Sequence, residues 1–228
     1  MKPAILLLHG ALGSSSSLDD LALELSKDRK VYQMNFPGHG GAAADCGFTL
    51  QSLTQALNDF IETHIQHPVE VFGYSMGGFV ALNAAKNGSK WITKIYTLAT
   101  KIIWDATIAE QENKNLDLHF LEQKAPQFIA ELQKIHGEDQ CEKLLLHTQN
   151  FLAELGKYQP LRDEELGKIQ IPVLYMLGDN DKMVSLLETE KAVKCTPNSV
   201  LNILPNTAHQ IHKVNKVLVA DCISESAL

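Results

Sequence analysis

Ser75 stands between Gly73 and Gly77, directly after a short apolar run from Val69 to Phe72. A serine hydroxyl becomes a useful nucleophile only when a base can take its proton and the backbone presents it. Gly-x-Ser-x-Gly would arise about 0.04 times by chance at this composition, so the match must be weighed in its context. Val69, Val71 and Phe72 read as a buried strand bounded by Pro68 and Gly73. From Met76 to Lys86 the pattern turns helical, with Phe79, Val80, Leu82, Ala84 and Ala85 ahead of a stop at Asn87-Gly88. A serine at a sharp strand-to-helix corner has an unfavourable backbone and squeezes together its neighbours two residues away. Glycine has no Cβ to clash there, so the spacing has a steric cause. The same corner places the Met76 N–H at a helix start, where a free donor and the positive dipole end favour an oxyanion.

The elements that would hold this corner alternate along the chain. Strand-like runs fall at Ala4–Leu8, Val31–Phe36, Val69–Phe72, Ile92–Leu98, Val173–Leu177 and Val200–Leu204. Helical patterns lie between them at Leu18–Leu25, Leu50–Ile65, Met76–Lys86 and Leu186–Val193, with a last helix from about Gln210. Six strands separated by helices predict an α/β fold with a mostly parallel sheet flanked by helices on both faces. The alternation stops between Trp104 and about Tyr158. There Phe128, Ile129, Leu132 and Ile135 form one apolar helical stripe, and Cys141, Leu144, Leu145, Leu152 and Leu155 form another.

Composition bounds the function. The chain of 228 residues can bury one substantial core, and 45% hydrophobic with 21% charged residues is ordinary for a globular domain. A net charge of −7 gives no support to binding nucleic acid or an anionic membrane. No apolar stretch approaches the roughly 20 residues of a membrane span, and the run after Lys2-Pro3 is too short for a signal-peptide core. Cys46, Cys141, Cys195 and Cys222 show no ligand or redox spacing, which predicts free thiols and a cytoplasmic setting. His209 and His212 lie three apart with no nearby carboxylate to complete a metal set, and His64 and His67, also three apart, are likewise given no metal role. No metal and no cofactor is expected.

The corner resembles the nucleophile elbow of the α/β-hydrolase family. That resemblance implies an acid after a later strand, a histidine after the last one, and an oxyanion hole after the first. In Gly178-Asp179-Asn180-Asp181 the family's Gly-x-x-Asp pattern selects Asp181, leaving Asp179 as a turn residue. In Thr207-Ala208-His209 it selects His209 as general base, with His212 read as a surface or packing residue. His9-Gly10-Ala11 resembles the family's His-Gly turn, so the N–H groups of Ala11 and Met76 would face the oxyanion. His9 is read as a structural residue of its turn, and His39 in Pro37-Gly38-His39-Gly40 is given no chemical role. The resemblance further implies a core of residues 1–103 and 159–228 and an inserted helical lid of residues 104–158. Trp104 and the leucine stripes of that segment offer an apolar pocket wall. The family's two customary leading strands have no counterpart ahead of Ala4–Leu8.

A serine, histidine and aspartate in this order imply hydrolysis of a small-molecule carboxylic ester through an acyl-enzyme. Thioesterases, carbon–carbon hydrolases and the menaquinone-pathway lyase of the same fold use the same three residue types, and a non-catalytic ligand receptor on this fold is a further alternative. Charge favours small to medium neutral acyl esters. Residues 105–158 carry ten acids against five lysines, and the chain has only Arg29 and Arg162 with which to fork a carboxylate or phosphate.

Overall fold

A computed structural model of the chain describes residues 2–43 and 47–226; Cys46 lies outside them. Strand β1 (Ile5–Leu8) leads through a 3-10 turn at Ser15–Leu18 into α1 (Asp19–Leu25) and β2 (Val31–Met34). Helix α2 (Leu50–Phe60) runs on through one π-helical turn, Ile61–Ile65, to β3 (Val69–Tyr74), α3 (Met76–Lys86) and β4 (Ile92–Leu98). Four helices follow with no strand among them: α4 (Ala106–Lys114), α5 (Leu118–Lys124), α6 (Pro126–His136) and α7 (Glu138–Lys157). The chain then returns through α8 (Asp163–Leu166), β5 (Val173–Gly178), α9 (Leu186–Cys195), β6 (Ser199–Leu204) and α10 (Lys216–Glu225).

The six strands form one sheet in the order β2-β1-β3-β4-β5-β6, and every neighbouring pair is parallel. Side-chain alternation explains why β1 reads as a continuous apolar run. Ile5 and Leu7 pack on one face with Leu18, Leu21 and Leu25 of the first helical segment and Val219 and Ile223 of α10. Leu6 and Leu8 pack on the other with Leu53 and Leu57 of α2 and Val80 of α3. The order reverses between β1 and β3, and such a switch point opens a crevice at the carboxyl ends of the strands. The loops after β1, β3, β5 and β6 all emerge at that edge.

Helix α7 does not float above the core, because Leu144, Phe151, Leu152 and Leu155 belong to the same apolar cluster as Phe79 and Trp104. A second, smaller cluster of Leu121, Ile129, Leu132, Cys141 and Leu145 ties α5, α6 and α7 together. Two expectations need correction. The buried face of α6 is Ile129, Leu132 and His136, whereas Phe128 and Ile135 are exposed by 37% and 41%, so the stripe is turned by one position toward α5 and α7. The last helix begins at Lys216, well after Gln210. Val214 is extended, and the Asn215 side chain accepts the Val217 and Leu218 N–H groups (3.1 and 3.2 Å), which caps the helix there. Residues Ile211–Lys213 form a single 3-10 turn, with His212 exposed on it. Among the described residues, no helix is long and apolar enough to cross a membrane.

Candidate active site

Ser75 occupies the turn between β3 and α3 with φ 51° and ψ −115°, a left-handed backbone that a serine adopts only when its surroundings impose it. They do. The Ser75 N–H donates to Leu98 O (2.8 Å), while its carbonyl accepts from Phe79 N–H and Thr100 Oγ1 (both 3.2 Å). A Cβ on Gly73 would collide with the Gly78 backbone, and one on Gly77 would lie 2.5 Å from Leu8 O. Both glycines are therefore required by close approach, the second because α3 begins hard against the end of β1.

Asp181 and His209 come from loops 28 residues apart and meet. His209 Nδ1 lies 2.8 Å from Asp181 Oδ2, and the Asp181 side chain is 1% exposed. The other carboxylate oxygen accepts the N–H groups of Met183 (2.8 Å) and Val184 (2.9 Å). Burial pushes the Asp181 carboxyl upward, but the bonds from His209, Val184 and Met183 outweigh it and hold the group below the usual aspartate range. An ionised acceptor makes His209 Nδ1 the protonated nitrogen and leaves Nε2 with a lone pair. Asp179 does something different: its Oδ1 accepts the Thr207 N–H (3.1 Å), bracing the loop that carries His209.

Ser75, Met76, Ala11, Trp104 and His209 all line one cavity of about 470 Å³, within the range of small-molecule sites. Met76 is the first residue of α3, so its N–H has no intrahelical acceptor. The remaining wall is mostly apolar and includes Phe79, Phe128, Phe151 and Leu155, so helices α4, α6 and α7 close one side. His9 is fully buried and structural: Nε2 accepts the Phe36 N–H (3.1 Å) and Nδ1 donates to Gly10 O (2.8 Å). His39, also fully buried, donates through Nδ1 to Pro37 O (3.1 Å).

Several residues of the site carried no sequence signal. The Tyr74 hydroxyl donates to His209 O (3.0 Å) and fixes the backbone there. Glu188 of α9 is buried, and one of its carboxylate oxygens accepts both the Ile102 and Ile103 N–H groups at 2.6 Å. Its other oxygen lies 3.4 Å from Lys101 Nζ, which also donates to Met183 O (3.2 Å). Lys101 lines the cavity and is thus already engaged, while Glu112 of α4 lines it with no ion pair among the described residues. No group of three or more His, Cys, Asp or Glu among the described residues could hold a metal ion.

The model of the family described as serine aminopeptidase, S33, matches residues 1–215. A 2-succinyl-6-hydroxy-2,4-cyclohexadiene-1-carboxylate synthase from Enterobacter sp. (strain 638) is 24% identical, covering 98% of this chain and 91% of its own. A pimeloyl-[acyl-carrier protein] methyl ester esterase from Nitrosomonas europaea is 25% identical, covering 91% and 88%. Among solved structures, NosK from Streptomyces actuosus superposes with a TM-score of 0.81 at 18% identity, covering 99% of this chain and 97% of that one.

Proposed function

This chain belongs to the serine aminopeptidase S33 family of α/β-hydrolase-fold proteins, and we propose that it is a serine hydrolase of neutral carboxylic esters with small to medium acyl groups. The observation that carries this reading is the 2.8 Å bond from His209 to a buried, ionised Asp181 at the cavity whose floor presents Ser75 on its strained corner. In the mechanism, Ser75 Oγ adds to the ester carbonyl while His209 Nε2 takes the hydroxyl proton. The Ala11 and Met76 N–H groups hold the resulting oxyanion, and such donors are worth about 3–4 kcal/mol each in the transition state. Collapse breaks the bond to the alcohol oxygen, which receives its proton from His209 and leaves an acyl-serine. Water, deprotonated by His209, then adds to the acyl carbon, and collapse returns the proton to Ser75 and releases the acid. Asp181 keeps the imidazole in the required tautomer throughout. The helices of residues 104–158 act as a lid that shields the acyl group and excludes water.

By their names, one of the two relatives makes a carboxylate and the other cleaves a carrier-bound methyl ester. The ester reading is favoured because the cavity is lined by no arginine and its one lysine is engaged by Glu188 and Met183. Fluorophosphonate labelling followed by peptide mapping tests the nucleophile, and turnover of p-nitrophenyl butyrate tests the class. The modified residue should be Ser75, and Ser75→Ala should abolish turnover while keeping the wild-type circular dichroism spectrum. Label on another residue, or more than a few per cent residual turnover, would remove Ser75 from its role.

A further inference from the structure

The loop that carries Ala11 is gripped from the lid as well as from the core. Leu12, the next residue, has φ 59°, a left-handed conformation that costs a non-glycine residue on the order of 1 kcal/mol or more and persists only when neighbours impose it. Two neighbours come from the lid. His136, in the last turn of α6, is buried and accepts the Gly40 N–H at Nδ1 (2.9 Å). Its proton is therefore on Nε2, which donates to Leu12 O (3.0 Å). The Leu12 side chain meanwhile packs against the lid's own cluster around Leu121, Ile129 and Leu132. One residue is thus held by its carbonyl and its side chain from the same lid. The Gly40 carbonyl accepts from Asn35 Nδ2 (3.2 Å), and Asn35 Oδ1 accepts the Ser15 N–H (2.6 Å). The imidazole of His136 therefore also locks the loop after β2 to the loop after β1.

We infer that the lid completes the oxyanion hole: His136 is a positioning residue that, by fixing Leu12, aims the Ala11 N–H one residue away. This rests on the role proposed above for Ala11. A lid that merely covers the pocket would influence substrate retention, and so KM. A lid that aims an oxyanion donor acts on the transition state, and so kcat.

The test uses the full chain with His136→Ala, His136→Phe and His136→Gln. Phenylalanine keeps a ring in the buried site and removes both hydrogen bonds, which guards against simple collapse of the alanine variant. Glutamine retains an N–H for Leu12 O. With p-nitrophenyl butyrate, kcat should fall about 10- to 100-fold in the alanine and phenylalanine variants, with KM within about threefold of wild type, and glutamine should recover most of the loss. Amide hydrogen exchange across residues 10–14 should accelerate about tenfold or more in the same two variants, while β3 and β4 keep wild-type protection. Unchanged kcat in a folded His136→Phe protein, a change confined to KM, or unaltered exchange across residues 10–14 would each overturn the inference. If wild-type protein turned over no ester, the ester reading would fall alone, and the exchange measurement would still decide whether His136 holds the loop.

Discussion

At the scale of single residues, two aspartates two positions apart are separated by what they accept. Asp181 serves three donors with two oxygens, and they approach from different sides: Met183 and Val184 N–H on one oxygen, His209 on the other. An amide in its place fails whichever way it turns. Either its NH₂ faces two backbone donors, or it faces His209 Nδ1 and drives the ring proton to Nε2, where it can no longer accept from Ser75. Asp181→Asn is therefore expected to lower kcat by roughly 10³–10⁴, as the tautomer argument requires. His209→Ala should do at least as much harm, since it removes the proposed base itself. Among the described residues the Asp179 side chain accepts only the Thr207 N–H, a bond that the oxygen of asparagine can still make, and His212 is exposed on its turn. Asp179→Asn and His212→Ala should stay within about threefold of wild type. Steady-state kinetics on the four variants checks this, and a large loss in the second pair with a small one in the first would reverse the assignment.

Between elements, one joint that depends on protonation is a cluster of three buried imidazoles in tilted and edge-on contact. The rings of His9 and His39 lie 4.8 Å apart and those of His39 and His136 5.8 Å apart, joining the loops after β1 and β2 to α6. Burial pushes His9 down to about 4, and burial with the neighbouring His9 pushes His39 down to about 3. Each is neutral when folded and titrates near 6.5 when unfolded, so the unfolded chain binds more protons below that pH. Their contribution is complete above about pH 6.5 and is lost as pH falls toward about 4 for His9 and about 3 for His39, at about 1.4 kcal/mol per pH unit for each group. Urea unfolding between pH 7.5 and pH 5 should show this slope, and His39→Phe should make it shallower while His9 keeps its own share; the same slope in that variant would clear His39 of the effect. Little of this cluster was legible in the sequence. Strand β4 and helix α3 were, because periodicity and a Gly-rich corner are local signals. Neither His136 nor Glu188 carries a local signal of that kind. What makes each of them matter is a backbone donor brought in by folding, 96 residues away for His136 and 86 for the Ile102 N–H at Glu188. The start of α10 was missed for a different reason, since its Asn215 cap lies beyond a 3-10 turn that also looks helical in sequence.

For the whole molecule, the ester preference proposed above rests on charge. The chain is net −7 and residues 105–158 are net −5, so the acids are concentrated on the element that forms the pocket rim. Most of them are solvated and will act only through their summed field, which reaches about 10 Å at 0.1 M salt. Glu112 is different, because it lines the cavity itself. The opposing charge there, Lys101, is held by Glu188 and by Met183 O, and neither Arg29 nor Arg162 lines the cavity. An anionic substrate would thus meet a repulsive field on approach and no planar bidentate donor on arrival. An apolar acyl chain meets Phe79, Phe151, Leu152 and Leu155, where burying each methylene is worth about 0.8 kcal/mol. The expected order of kcat/KM is therefore p-nitrophenyl butyrate above both butyryl-coenzyme A and a succinyl monoester. The gap should be widest at low ionic strength and should narrow on adding salt, because screening weakens the repulsion and leaves the apolar contacts intact. Glu112→Gln should narrow it further at low salt without changing the neutral ester's kcat. A win for either anion at low salt would mean that cations elsewhere on the surface guide the substrate, and it would move the thioesterase or lyase reading ahead of the esterase one.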